Sequence, residues 1–438
     1  CQWIIFNGIE NDFPEYRVVR DLLLRELPRV RAGIDWGKEP LAASLAAIHM
    51  LNSGVLPIQG PPGAGKSFTA SKMILEAVKA GKSVGITAMS HKVIQNLLEK
   101  VDVSAKEEGF NLRCLHKVTT LSAKSTLETT KNEDVWNGLK NGTVNVVGGT
   151  PWLWANQSSY ELVDILFVDE AGQLSLIDTV AAAQGANNVV LLGDPQQLKQ
   201  PQRGRHPEGS EVSSLEHILQ EHQTITADRG IFLEQTWRMH PNVCSFISEL
   251  FYENRLISAA GLEKQVLTGP FINGAGLWFL PVPHEGNQSA SKQEAQAVQK
   301  LVSLLTNGQT NWTDRDERTK TVDAGDIKII APYNSQVQEI NAILNNTVET
   351  GTVDKFQGQE SPIIIFSMAT SSPENAPHGM DFLYSLNRLN VAVSRAQTAC
   401  IIVASPRLFE PDCKSPAQIR LANAYCRYLE MGQIIAVN

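Results

Sequence analysis

Short runs of β-branched and aliphatic residues alternate with longer polar or amphipathic stretches along most of the chain. From about residue 41 the runs LPIQG, SVGITA, NVVGGT, DILFVDE and NVVLLGD are each followed by a segment with helical spacing. Strands that are apolar throughout and separated by helices predict a parallel sheet covered on both faces. A second series opens near residue 229 with GIFLEQ, GLWFLPV, DIKIIAPY, PIIIFSM and ACIIVAS. The expected fold is therefore α/β, with one domain over 37–228 and a second of the same architecture over 229–438. Polar residues 104–142, rich in Lys, Glu and Thr, interrupt the first series and predict a small helical insertion. Ahead of it, Tyr16, Val19, Leu23 and Leu27 stand at helical spacing until Pro28 ends the helix. Residues 1–36 are expected to be a linker or stalk from an upstream region, with a packing helix at the domain edge as the alternative. HEGNQSASK and TNGQTNWTDRDERTK predict surface loops in the second half.

Composition narrows the class. At 438 residues the chain exceeds what one hydrophobic core usually holds. Apolar residues at 42% and charged residues at 19% describe a globular protein. No apolar run approaches the roughly 20 residues of a membrane span, so no membrane partner is expected. The opening CQWIIFNGIENDFPEYR has neither an initiator Met nor a signal-peptide pattern. The expectation is a cytoplasmic piece of a longer polypeptide. Six cysteines without a CxxC pair argue against a zinc or iron–sulfur site and suit a reducing compartment. A net charge of −8 means that any nucleic acid must be held by a local groove.

Gly60, Pro61, Pro62, Gly63, Ala64, Gly65, Lys66 and Ser67 form the phosphate-loop pattern GxxxxGK[ST], after an apolar strand and before a helix. Glycines let backbone N–H groups wrap phosphate oxygens at a helix N-terminus. Lys66 is expected at the β- and γ-phosphates and the Ser67 hydroxyl on Mg²⁺, with Phe68 closing the nucleotide-binding segment. The run ILFVDE then delivers Asp169 and Glu170 to the carboxyl edge of the sheet, where ligands of such sheets bind. Asp169 is expected to hold Mg²⁺ through water, and Glu170 to polarise the attacking water as general base. Downstream, GDPQQLKQP follows the next strand, and the Gln197 amide is placed to sense the γ-phosphate.

In order, GPPGAGKS, VDEAGQ, GDPQQLKQP, QTWRMHP, APYNSQV, TVDKFQGQE and LNVAVSRAQ resemble the motifs of superfamily 1 helicases over residues 41 to about 405. The likeness is greatest to the group with the nonsense-mediated-decay helicase and the Okazaki-fragment nuclease-helicases. LLLRELPRVRAG and TAMSHKVIQNLL more loosely resemble bacterial RecB-like nuclease–helicase fusions. The resemblance implies two tandem RecA-like domains that bind ATP and Mg²⁺ and move along single-stranded DNA or RNA, with 5′→3′ polarity. It further implies that Arg238 and Arg395 touch the γ-phosphate, that Tyr333 stacks on adenine, and that Gly358 and Glu360 contact ribose and phosphate. Ser90, His91, Thr150, Trp152, Thr352, Asp354 and Gln357 occupy the strand-binding positions, on loops expected at the opposite rim of the sheets. Lys92 or Lys355 is expected to hold phosphates, and Trp152 either stacks a base or, together with Trp154, packs the insertion against the domain. One departure stands out: relatives carry an adenine-reading Gln where this chain has EPLAASLAAIHML, with Ser44 near that place. DNA is favoured over RNA by the looser resemblance, and no nuclease carboxylate cluster is visible. The alternatives are a nucleic-acid-stimulated ATPase acting on RNA or displacing proteins with little unwinding, and a binding module that uses ATP only as a clamp.

Overall fold

In the computed structural model the chain is described over residues 8–9, 13–31, 36, 39–122, 127–199 and 212–436. It divides into two compact units. The first is Cys1–Pro61, Gly65–Pro195 and Lys199–Glu234; the second is Pro62–Ala64, Gln196–Leu198 and Gln235–Asn438.

The first unit is built on eight strands: β1 (Val55–Gln59), β2 (Val84–Thr87), β3 (Cys114–Lys117), β4 (Leu127–Thr129), β5 (Val146–Gly148), β6 (Val163–Val168), β7 (Ala186–Gly193) and β8 (Ile231–Phe232). Their order is β4-β3-β5-β2-β6-β7-β1-β8, and every pairing is parallel. Central strands are buried along their length, as the unbroken Val, Ile and Leu runs require: all residues of β1 and β2 are buried, and β6 is broken only by Asp164. Helix α1 (Arg17–Leu24) packs Val18, Val19 and Leu22 into the same core, against the helix Leu176–Ala183. It spans only two turns, because Arg25 turns left-handed at φ 57°, so Leu27 falls outside the helix and stays exposed.

Two expectations are corrected here. Residues 104–142 do hold a helix, Asn132–Lys140, but they also supply β3 and β4 to the edge of the main sheet. Strands near a sheet's edge need few apolar side chains: β4 is the edge strand, and of β3, one strand in, only Leu115 and His116 are buried, so the polar sequence concealed both. The run at 231–232, expected to open the second series, extends the first sheet beside β1. Apolar character marks a strand without saying which sheet it joins.

The second unit carries a six-stranded parallel sheet. Before it and within it come β9 (Gln235–Thr236), β10 (Ile257–Ser258), β11 (Val266–Thr268), β12 (Asn273–Gly274), β13 (Gly276–Pro281), β14 (Asn311–Thr313), β15 (Thr319–Thr321), β16 (Ile327–Ala331), β17 (Glu349–Thr352), β18 (Ser361–Ser367), β19 (Ala396–Ala404) and β20 (Gln433–Ile434). The main order is β17-β16-β18-β19-β13-β20. The polar stretch expected as a surface loop folds in part into the hairpin β14–β15, in a small antiparallel sheet ordered β12-β11-β14-β15. Trp312 anchors that hairpin by donating its indole N–H to Thr398 Oγ1 at 2.9 Å. In the other expected loop, His284 is buried between Ser371 Oγ (2.7 Å from Nδ1) and Glu294 Oε1 (2.9 Å from Nε2), tying the segments after β13 and β18 together.

Candidate nucleotide and nucleic-acid site

The phosphate loop leaves β1 at the carboxyl edge. Gly60 N–H donates to Gly193 O at 2.9 Å, fixing the start of the loop against β7. Gly65, at φ 79°, caps helix α2 (Lys66–Lys79), which opens with the loop lysine itself. That left-handed turn suits glycine and leaves first-turn amide groups for an anion. Lys66 folds back over the loop, its Nζ donating to Gly60 O at 2.5 Å. A Cβ on Gly60 would lie 2.2 Å from Lys66 Cγ, so the lysine stem needs glycine beneath it. Ser67 is half-buried; Phe68 is exposed, with the Lys72 ammonium 6.0 Å from its ring centroid.

The acidic pair leaves β6 on the same edge. Asp169 is 6% exposed and accepts the Glu170 backbone N–H at 2.9 Å. Burial, and then the Glu170 charge, push its carboxyl up to about 7. Glu170 itself sits at φ 54°, in the left-handed region that a glutamate seldom adopts. Such a residue costs on the order of 1–3 kcal/mol and concentrates at functional sites. Beside Asp169, whose backbone N–H donates to Thr87 O at 2.8 Å, the Thr87 hydroxyl is buried without a partner among the described residues, as is Gln173 Nε2. A buried carboxylate next to an unpaired hydroxyl fits a hydrated divalent cation, which would hold the carboxylate charged and give the hydroxyl a water. Thr87 was not singled out in the sequence, where its one signal is a polar residue closing a strand. The loops after β6 and β7 touch: a Cβ on Gly172 would lie 2.5 Å from Asp194 O.

In the second unit Arg238, Glu360 and Arg395 form one polar cluster. Arg238 Nε donates to Glu360 Oε2 at 2.6 Å and Nη1 to Ser394 O at 3.0 Å. Gln397 Nε2 donates to Glu360 Oε1 at 2.9 Å. Burial raises the Glu360 pKa, but the Arg238 charge and hydrogen bond outweigh it and hold the carboxyl below its ordinary value. Arg395 is 2% exposed and donates to Val391 O, Gln359 O and Gln197 Oε1 at 3.2, 3.2 and 3.3 Å. Gly358, at φ 78°, turns the chain ahead of Glu360. Tyr333 is buried, its ring stacked on Phe382 with centroids 5.4 Å apart, and the Arg388 guanidinium lies 4.1 Å over the other ring. In the first unit Ser44 is wholly buried, with its hydroxyl on Pro40 O at 2.7 Å, and so presents nothing to a base.

The strand-binding candidates lie on the carboxyl edges, not the opposite rim. Ser90 and His91 follow β2, Thr150 and Trp152 follow β5, and Thr352, Asp354 and Gln357 close and follow β17. Because every strand of each main sheet is parallel, all segments after strands emerge on one side. Ser90 caps helix α3 (His91–Glu107), its Oγ accepting from Val93 N–H at 3.3 Å. The two tryptophans separate cleanly: Trp152 is 85% exposed, whereas Trp154 is fully buried and donates to Gly149 O at 3.1 Å. Lys92 is exposed, while Lys355 Nζ is held by Thr350 O at 2.9 Å. Among the described residues no helix is long and apolar enough to cross a membrane, and no group of three His, Cys, Asp or Glu is placed to hold a metal.

Residues 42–226 match one family described as an AAA domain, and residues 210–407 match a second of the same description. The chain is 24% identical to DNA polymerase alpha-associated DNA helicase A of Schizosaccharomyces pombe, over 79% of the chain and 60% of that protein. It is 27% identical to the regulator of nonsense transcripts 1 homolog of Drosophila melanogaster, over 83% of the chain and 34% of that protein. It is 26% identical to the DNA replication ATP-dependent helicase/nuclease DNA2 of Xenopus laevis, over 83% of the chain and 37% of that protein. The chain thus spans less than two thirds of each of these relatives.

Proposed function

We propose that the chain is a superfamily 1 helicase that hydrolyses ATP to move along single-stranded nucleic acid, DNA by preference, in the 5′→3′ direction. Duplex unwinding is the expected outcome. The observation that carries this reading is the convergence of Lys66, buried Asp169 and strained Glu170 on one edge of one parallel sheet. The Lys66 ammonium and the first-turn amides of α2 bind the β- and γ-phosphates. Ser67 and Asp169 would hold Mg²⁺, which when bound neutralises phosphate charge. The Glu170 carboxylate accepts a proton from the attacking water, and its backbone strain fixes where that carboxylate points. Gln197 reads the γ-phosphate, and Arg238 and Arg395 supply the positive charge that the transferring phosphoryl group needs. One of the relatives above is named a DNA helicase and another a DNA replication helicase/nuclease, which supports DNA as the track.

The strand itself is held by hydroxyls, backbone amides and Lys92, with exposed Trp152 as a stacking platform. Affinity for a single-stranded oligonucleotide is expected to fall with salt, by a slope of about −0.7 per phosphate neutralised. Trp152→Ala is expected to weaken binding by about 1–3 kcal/mol while leaving the melting temperature unchanged. Titrations of single strand and blunt duplex across a salt series check this. Salt-independent binding, or tighter binding to the duplex, contradicts it.

A further inference from the structure

Strands β18 and β19 pair in parallel, but their register shifts where they begin. Ser361 lies opposite Ala396 and Ile363 opposite Ala399, so two steps along β18 answer three along β19. Such a bulge is rare between parallel strands; it re-aims a side chain and gathers beside functional sites. Gln397 falls inside the shift. Its carbonyl oxygen accepts the His240 N–H at 2.8 Å, tying the segment just after Arg238 to the start of β19. Its side chain turns to Glu360, Nε2 donating to Oε1 at 2.9 Å, while Glu360 Oε2 accepts Arg238 Nε–H at 2.6 Å. The remaining amide atom, Gln397 Oε1, is buried without a partner among the described residues. Turned over, the amide would set that oxygen against the Glu360 carboxylate, so charge fixes its orientation. Leaving a buried acceptor bare opposes folding. What the amide keeps in return is its bond to Glu360.

That bond bears on which part of Arg238 is free. Glu360 takes Nε and Ser394 O takes Nη1 at 3.0 Å, whereas Nη2 has no partner among the described residues. The main chain of Arg238 is pinned too, its N–H on Thr236 Oγ1 at 3.3 Å and its carbonyl accepting from Gln265 Nε2 at 3.1 Å. A guanidinium gripped along one side presents its last nitrogen in one direction, with little rotamer freedom left to lose. The grip needs Glu360 charged. Burial pushes that carboxyl up, but the Arg238 charge, the Arg238 hydrogen bond and the Gln397 hydrogen bond together hold it below its ordinary value. A neutral amide suits the second oxygen, because it donates without competing with Arg238 as a cation.

We propose that Gln397 is a positioning residue for ATP hydrolysis: it steadies the Glu360 carboxylate, which in turn holds Arg238 with Nη2 free for the γ-phosphate. The inference rests on the reading of Arg238 given above. Steady-state ATPase with saturating single-stranded oligonucleotide tests it, at temperatures where melting curves show each variant folded. Gln397→Met keeps the length of the side chain and removes the donor. It is expected to lower kcat about tenfold, the worth of one hydrogen bond to a charged group, with KM for ATP unchanged. In an Arg238→Ala background the same substitution is expected to cost nothing further, because the group it positions is gone. A merely structural residue would lower turnover equally in both backgrounds. That result, or an unchanged kcat in Gln397→Met, overturns the inference. Full turnover in Arg238→Ala alone instead removes the assignment of Arg238 on which it rests.

Discussion

Glu170→Gln is expected to leave ATP bound and to cut turnover by about 10²–10⁴, the usual contribution of a general base. Glutamine keeps the size of the side chain and the main-chain N–H that Asp169 accepts at 2.9 Å, so the proposed cation site is undisturbed. What is lost is a carboxylate that can take a proton from water. Lys66→Ala gives the opposite pattern. Its ammonium rests 2.5 Å from Gly60 O, over the loop, and its removal takes away the charge that draws the phosphates in. Binding and turnover should therefore fall together in Lys66→Ala, and only turnover in Glu170→Gln. Nucleotide affinity from a fluorescent analogue, measured beside phosphate release, separates the two. Near-normal release by Glu170→Gln would place the base elsewhere.

That Lys66, Asp169 and Glu170 follow strands of one sheet was legible in the sequence, because phosphate chemistry constrains short, contiguous segments. A loop that wraps phosphate needs glycines at fixed positions, and a strand that delivers two carboxylates ends in them. The left-handed φ of Glu170 and the orphaned Thr87 hydroxyl were not legible, since both depend on how strands end side by side. Whether Trp152 is bare or packs with Trp154 was not legible either. They are two residues apart in one short helix, and only packing decides that one is bare and the other fully buried. The edge strand β4 and its neighbour β3 were hidden by their polar residues, and with them the pairing of His91 with His116 across 25 residues of sequence. Expecting strand contacts on the opposite rim failed for a topological reason: a wholly parallel sheet has one carboxyl edge, and everything that follows its strands shares it.

Arg395→Ala is expected to lose about 10³–10⁵ of stimulated turnover, the value of an arginine aimed at a transferring phosphoryl group. The side chain is 2% exposed and already donates to two carbonyls and to the Gln197 amide. Removing it therefore costs stability as well, about 1–3 kcal/mol for each buried acceptor left bare. The two effects separate because the phosphate loop and Asp169 lie on other elements. ATP and oligonucleotide should still bind at temperatures where the variant is folded. Arg395→Lys keeps the charge without the planar fork and should fall between the two. A loss in Arg395→Ala smaller than about tenfold, only about 1.4 kcal/mol of transition-state stabilisation, would mean that Arg395 holds the fold and takes no part in hydrolysis.

The central claim is that ATP hydrolysis here is driven by a bound single strand. The most direct test is the steady-state ATPase rate of the unmodified protein, alone and with saturating single-stranded DNA or RNA oligomers of equal length. The account predicts slow hydrolysis alone and a rise of at least about tenfold with the oligomer, larger with DNA than with RNA. A rate that neither oligomer changes would contradict it.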